Sequence, residues 1–140
     1  MEQWPNIKVY EGSFFEGKKH GKGKLSFVDG SIFEGDFNMN EIHGHGVYLY
    51  ADRRKYTGEL VNGMMHGRGH LINPDGTQYI GEFQLDKRHG QGKFIWYKGR
   101  EYEGGWVRGK QSGVGYYMNN DGERKKGIWV NGKRQKWLDS

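Results

Sequence analysis

The sequence predicts an all-β fold: a single-layer antiparallel meander of stacked β-hairpins, elongated and grooved. Three observations predict it. An aromatic ring followed two residues later by glycine returns every 23 residues, as Tyr10–Gly12, Phe33–Gly35, Tyr56–Gly58, Tyr79–Gly81 and Tyr102–Gly104, with Lys125–Gly127 a degenerate sixth copy. A second marker keeps the same step: His20-Gly21-x-Gly23 recurs from His43, His66 and His89, then as Ser112-Gly113-x-Gly115. Between the markers apolar and polar side chains alternate. A fixed period of roughly 20–50 residues means one supersecondary unit stacked on its own copies. Alternation makes that unit a pair of strands.

The elements follow in order. Residues 1–9 read as an N-terminal half-repeat, a cap, because Trp4-Pro5-Asn6 stands three periods before Asn73-Pro74-Asp75. In the first full unit, 10–32, Tyr10, Gly12 and Phe14 alternate with Glu11, Ser13 and Phe15. After Gly17-Lys18-Lys19-His20 the alternation resumes, with Gly21, Gly23, Leu25 and Phe27 on one side and Lys22, Lys24 and Ser26 on the other. Two such runs about a glycine-bearing loop make a hairpin. Asn62-Gly63 and Asn131-Gly132 supply residues that tolerate positive φ in the same loop. A second turn, Asp29-Gly30, leads to the next unit and recurs as Asp75-Gly76 and Asp121-Gly122. Further units are expected at 33–55, 56–78, 79–101 and 102–124. Residues 125–140 form a degenerate C-terminal capping repeat and basic tail, where Gly127, Trp129 and Gly132 keep phase but Gln135, Lys136 and Trp137 replace the His-Gly signature. Glycines 21 and 23 pack nothing themselves. The sequence therefore points to a ring laid against them, with Phe14, Phe37, Leu60, Phe83, Trp106 and Trp129 as the expected occupants.

Composition narrows the class. The chain has 25 glycines in 140 residues, is 15% aromatic and has a mean hydropathy of −0.99. Glycine-rich chains without a period are often disordered, but disordered chains are poor in aromatics. There is no cysteine, so disulfides, Cys-ligated metals and thiol chemistry are out. No apolar run approaches the ~18 residues of a membrane helix, and the N-terminus lacks a signal-peptide pattern. A cytoplasmic location is the expectation. Residues 1–70 carry 9 Lys/Arg and 9 Asp/Glu, whereas residues 71–140 carry 13 and 8. One end of the array is neutral and the other basic.

The unit Tyr-Glu-Gly-x-Phe…Gly-Lys-x-His-Gly-x-Gly…Asp-Gly resembles the MORN repeat (membrane occupation and recognition nexus), over about residues 10–132. Departures are local: Asn40 and Asp86 replace the loop glycine, Arg53 the inter-repeat glycine, Lys125 the aromatic. The resemblance implies a grooved stack of hairpins that binds partner proteins or self-associates, often in cytoskeletal, ciliary or membrane-associated assemblies.

Motifs with catalytic overtones are by-products of the period. Gly12-x4-Gly17-Lys18, Gly104-x4-Gly109-Lys110 and Gly127-x4-Gly132-Lys133 imitate the start of a phosphate-binding loop, but Lys19, Gln111 and Arg134 stand where Ser or Thr is needed. Equivalent histidines lie two strands apart, roughly 9–10 Å at the usual strand spacing, too far to share one zinc ion. They read as turn hydrogen-bonders. Acidic slots on strand one (Glu11, Glu34, Asp36, Glu59, Glu82, Glu103) face basic slots on strand two (Lys22, Lys24, Arg68, Lys93). Such cross-strand pairs set register. No enzyme activity, cofactor or metal site is expected.

Function is therefore sought on the surface. A single layer leaves its apolar face uncovered, and contiguous apolar surface marks interaction sites. That face also holds Phe27, Tyr50 and Trp96. The expected partner-binding residues are Tyr10, Phe14, Phe33, Phe37, Tyr56, Leu60, Tyr79, Phe83, Tyr102, Trp106 and Trp129. They form an aromatic groove for a peptide or amphipathic helix of another protein. Self-pairing as a homodimer, through the strip or a sheet edge, is a further expectation. The alternative is an anionic phospholipid (phosphoinositide) membrane-binding module using Arg124, Lys125, Lys126, Lys133, Arg134 and Lys136. Nucleic acid is not expected, because a stacking platform needs a sustained basic groove.

Overall fold

A computed structural model describes residues 6–96 and 99–138. Twelve antiparallel strands form one open sheet whose spatial order is the order of the sequence. They are β1 (Ile7–Phe15), β2 (Lys18–Phe27), β3 (Ile32–Asn38), β4 (Glu41–Leu49), β5 (Lys55–Val61), β6 (Met64–Ile72), β7 (Gln78–Gln84), β8 (Lys87–Ile95), β9 (Glu101–Val107), β10 (Lys110–Met118), β11 (Arg124–Val130) and β12 (Lys133–Leu138). The all-β meander read from the period is the fold. Of the N-terminal cap, residues 1–5 lie outside the described residues, and Ile7 to Val9 belong to β1.

Two kinds of turn alternate. Within each hairpin a two-residue loop has positive φ at both positions: Glu16-Gly17, Met39-Asn40, Asn62-Gly63, Leu85-Asp86, Arg108-Gly109 and Asn131-Gly132. That is the type I′ loop, whose twist matches the strands it joins. Between hairpins a β-turn closes with Gly30 N–H donating to the Phe27 carbonyl, and Phe27 N–H donates to Ser31 O beyond it. The same bonds recur at Tyr50–Arg54, Asn73–Thr77 and Asn119–Glu123. Asp29 and Asp75 brace these turns through Oδ1, which accepts from the backbone and hydroxyl of Ser31 and Thr77 respectively. Those bonds hold both carboxyls below their ordinary pKa.

The His-Gly marker turns out to be a bulge. Gly12 pairs with Gly23 and Phe14 with Lys19, so β2 runs four residues where β1 runs two. The skip recurs between Gly35 and Phe37, Gly58 and Leu60, and Gly81 and Phe83. Gly21, Gly44, Gly67 and Gly90 sit in it at φ of 89°, 123°, 72° and 82°. A glycine there satisfies backbone geometry. It does not make room for a ring. The strand-one carboxylate tucks beneath: Asp36, Glu59 and Glu82 accept the N–H of His45, Arg68 and Gln91. Three of the acidic slots read as register pairs thus hold register through the backbone, and Asp36 also pairs with Lys22 across the repeat boundary. Lys93–Glu101 and Arg124–Glu103 are further pairs between hairpins.

The second glycine of each marker is the one under a ring. Gly12, Gly23, Gly35, Gly46, Gly58, Gly69, Gly81, Gly92, Gly104, Gly115 and Gly127 are successive cross-strand partners, a lane without side chains across eleven strands. Tyr10, Phe33, Tyr56, Tyr79 and Tyr102 lie over it, packed on Gly23, Gly46, Gly69, Gly92 and Gly115. This corrects the expected occupants: the first aromatic of the unit covers the glycine, and Phe14, Phe37, Leu60, Phe83 and Trp106 do not. Each tyrosine also reaches a carbonyl three residues on, Tyr56 OH to Glu59 O at 2.7 Å and Tyr79 OH to Glu82 O at 2.8 Å.

Candidate functional site

The rings proposed as a partner surface do share one face of the sheet, where two columns interlock. Tyr79 meets Phe83 at 5.0 Å and Trp106 at 5.5 Å, and Tyr102 meets Trp106 at 5.3 Å and Trp129 at 4.7 Å, all edge to face. The same contacts join Tyr10 and Phe33 to Phe37, and Tyr56 to Phe83. Each such pair adds about 0.5–1.5 kcal/mol beyond the area it buries. The columns are sealed by Leu25, Ile42, Tyr48, Met65 and Leu71.

The consequence is a correction. Phe33, Phe37, Tyr56, Leu60, Tyr79, Phe83, Tyr102, Trp106 and Trp129 are at most 6% exposed. They are the core of the molecule, not a strip open to a partner. A single layer buries them because the two columns interlock, the first column rests on a side-chain-free floor, and neighbouring apolar side chains seal the flanks. Burial pushes the hydroxyls of Tyr56 and Tyr79 above their ordinary pKa, and that of Tyr102 up to about 12. Of the eleven expected contact residues only Tyr10, half-buried, and Phe14, 61% exposed, retain open surface.

What remains accessible on this face is a second rank of rings. Tyr50, Phe94, Trp96, Tyr117 and Trp137 are partly buried against the core. A cleft of about 570 Å³ runs over Met65, Leu71, Tyr79, Phe83 and Phe94, bordered by Arg54, Arg88 and Arg108. Another of about 280 Å³ lies among Trp96, Tyr117, Trp129 and Trp137, with Arg100 and Arg134. Guanidinium groups sit over these rings: Arg54 over Tyr50 at 4.4 Å, Arg88 over Trp106 at 4.6 Å, Arg100 over Trp96 at 5.2 Å, Arg134 over Trp137 at 4.3 Å. Arg88 is itself well covered, and desolvation lowers its pKa. Tyr50 and Trp96 belonged to the apolar face in the sequence, and the period carries Phe94 and Tyr117 in one slot. The arginines also keep phase, Arg54 with Arg100 and Arg88 with Arg134 two periods apart, but spacing alone does not show that a guanidinium lies over a ring.

The basic residues proposed for lipid do not gather. Lys125 and Arg134 lie with Trp137 on the aromatic face, whereas Arg124 and Lys126 lie over Tyr116 on the other. Lys133 and Lys136 are exposed on β12. The histidine column behaves unevenly. His20 Nδ1 accepts from Met39 N–H at 3.2 Å, but His66 Nδ1 is buried with no hydrogen-bond partner. Among the described residues no three His, Asp or Glu side chains could hold a metal ion. The phosphate-loop look-alikes are hairpin turns, with Gly17, Gly109 and Gly132 at the second loop position.

A family model, the MORN repeat, matches residues 10–32, 33–53, 56–78, 79–99 and 102–124. The chain belongs to the MORN repeat family. MORN repeats mediate protein–protein or membrane interactions, and proteins built from them are generally non-catalytic scaffolds. The MORN signature residues have structural duties here: the aromatic and second glycine form the stacked column, and His-Gly forms the bulge.

Proposed function

We propose that this protein is a non-catalytic interaction scaffold that holds a peptide or helix of another protein along its aromatic face, in a cytoskeletal, ciliary or membrane-associated assembly. One observation carries the reading: a continuous, rigid core of rings bears a second rank of partly open rings and arginines, the side chains that dominate binding hot spots. A buried column beneath fixes their positions, so little order is lost when a partner arrives. A membrane role has less support, because the basic residues at the C-terminal end divide between two faces.

The test compares faces. Trp96→Ser with Tyr117→Ser removes open rings from the aromatic face, and Ile80→Ser with Val114→Ser removes exposed apolar groups from the opposite one. Partner capture should drop about tenfold or more with the first pair and hold with the second. The reverse pattern would place the interface on the opposite face and end this reading.

A further inference from the structure

Charge is distributed differently on the two faces. On the face away from the rings three cations are matched: Lys22 with Asp36, Lys93 with Glu101, Arg124 with Glu103. On the aromatic face Arg54 pairs with Asp52 and Arg88 donates to the Gly109 carbonyl, whereas Arg100 and Arg134 lie over Trp96 and Trp137 and form no ion pair among the described residues. The two carboxylates bordering the larger cleft are already engaged, Asp75 by Thr77 N–H and Asp86 by Met65 N–H. The smaller cleft, where Arg100 and Arg134 stand with Trp96, Tyr117 and Trp137, thus offers apolar floor and unmatched guanidinium edge together.

A guanidinium held over an indole keeps its N–H donors for a planar acceptor at its rim, and a carboxylate accepts two of them in parallel. Stacking also removes part of the entropy that a free arginine loses on binding. A segment with only apolar groups would bury these cations without partners, and a basic segment would add like charge. Rings for its apolar side chains and guanidinium groups for its acids specify one kind of occupant.

We infer that the aromatic face selects an acidic amphipathic polypeptide segment, whose apolar side chains enter the Trp96–Trp137 cleft while adjacent carboxylates pair with Arg100 and Arg134. This rests on the scaffold reading above and adds the chemistry of the partner. It also gives the segment a polarity, with its acids toward β8–β12 and away from the evenly charged first half of the array.

The probes are two fluorescein-labelled amphipathic peptides with identical leucine and tryptophan positions, one with glutamate and one with lysine on the polar side. Anisotropy titrations use the full chain and an Arg100→Gln/Arg134→Gln variant whose β-sheet circular dichroism matches the parent. The glutamate peptide should bind at least about tenfold more tightly than its twin, with a preference that falls in high salt and collapses in the variant. Equal binding of the two, binding of neither, or a preference that survives in the variant overturns the inference. The face comparison by partner capture then decides separately whether the scaffold reading stands. Vesicles of phosphatidylcholine and phosphatidylserine form a third arm. Should the variant lose vesicle binding yet keep the glutamate peptide, the arginines serve a membrane and the inference falls.

Discussion

At the scale of single residues, two glycines in one motif do opposite work. Gly69 has ordinary φ, but a methyl group there would run into the Tyr56 ring and hydroxyl. Gly76 has φ of 92° and open space around it. Gly69→Ala should therefore cost about 3 kcal/mol through overpacking, and Gly76→Ala about 1 kcal/mol through left-handed backbone alone. Urea unfolding midpoints would rank them, and equal costs would mean the ring does not rest on the lane. Alternation in the sequence put Gly21 and Gly23 on one side, because a period of two cannot register an inserted bulge. Alternation alone therefore points the ring at the wrong partner. The exposure of rings escapes the sequence for a related reason. Whether a ring is open depends on its neighbours across strands, and sequence spacing does not state how closely they approach.

Elements were more legible than residues. Asn62-Gly63 and Asn131-Gly132 revealed the hairpin loop, and phase located the other four. Phase could not show how poorly some loops suit their residues. Leu85 stands at φ of 49°, 58% exposed, where Asn62 and Asn131 occupy the equivalent slot at 51°. An aliphatic side chain gains nothing there and is strained by its Cβ. Leu85→Asn should stabilise the protein by about 0.5–1 kcal/mol, read as a higher melting temperature by circular dichroism. An unchanged or lower melting temperature would show that Leu85 makes contacts worth more than the strain. Asp86 beside it should be left alone, since its Oδ1 accepts the N–H of Met65 in the previous hairpin at 2.8 Å. Asn40 does the same for Lys19. The two loops that lack glycine thus use the substituted side chain as a clasp between repeats, which a motif comparison scores only as a mismatch.

For the whole molecule, backbone pairing joins strands consecutive in sequence, and the ring contacts reach one strand further, as from Tyr79 on β7 to Trp106 on β9. Stability is then a sum over neighbours, and opening starts at the ends. Strand β1 is exposed at eight of nine positions and β12 at four of six, while β2 to β7 and β9 each bury two large side chains. Amide hydrogen exchange should show protection rising from β1 and β12 toward β5–β9. A flat profile, or one highest at β1, would contradict nearest-neighbour stability.

The bare lane across the strands has a last consequence, for how such a chain can change length. Each unit brings its own lid and its own gap, so gaining or losing one whole unit leaves every surviving ring above an empty space. An insertion of any other size within a strand would slide Cβ-bearing residues under the lids and jam the column on both sides. The lane therefore acts as a reading frame for the protein itself, with a word 23 residues long.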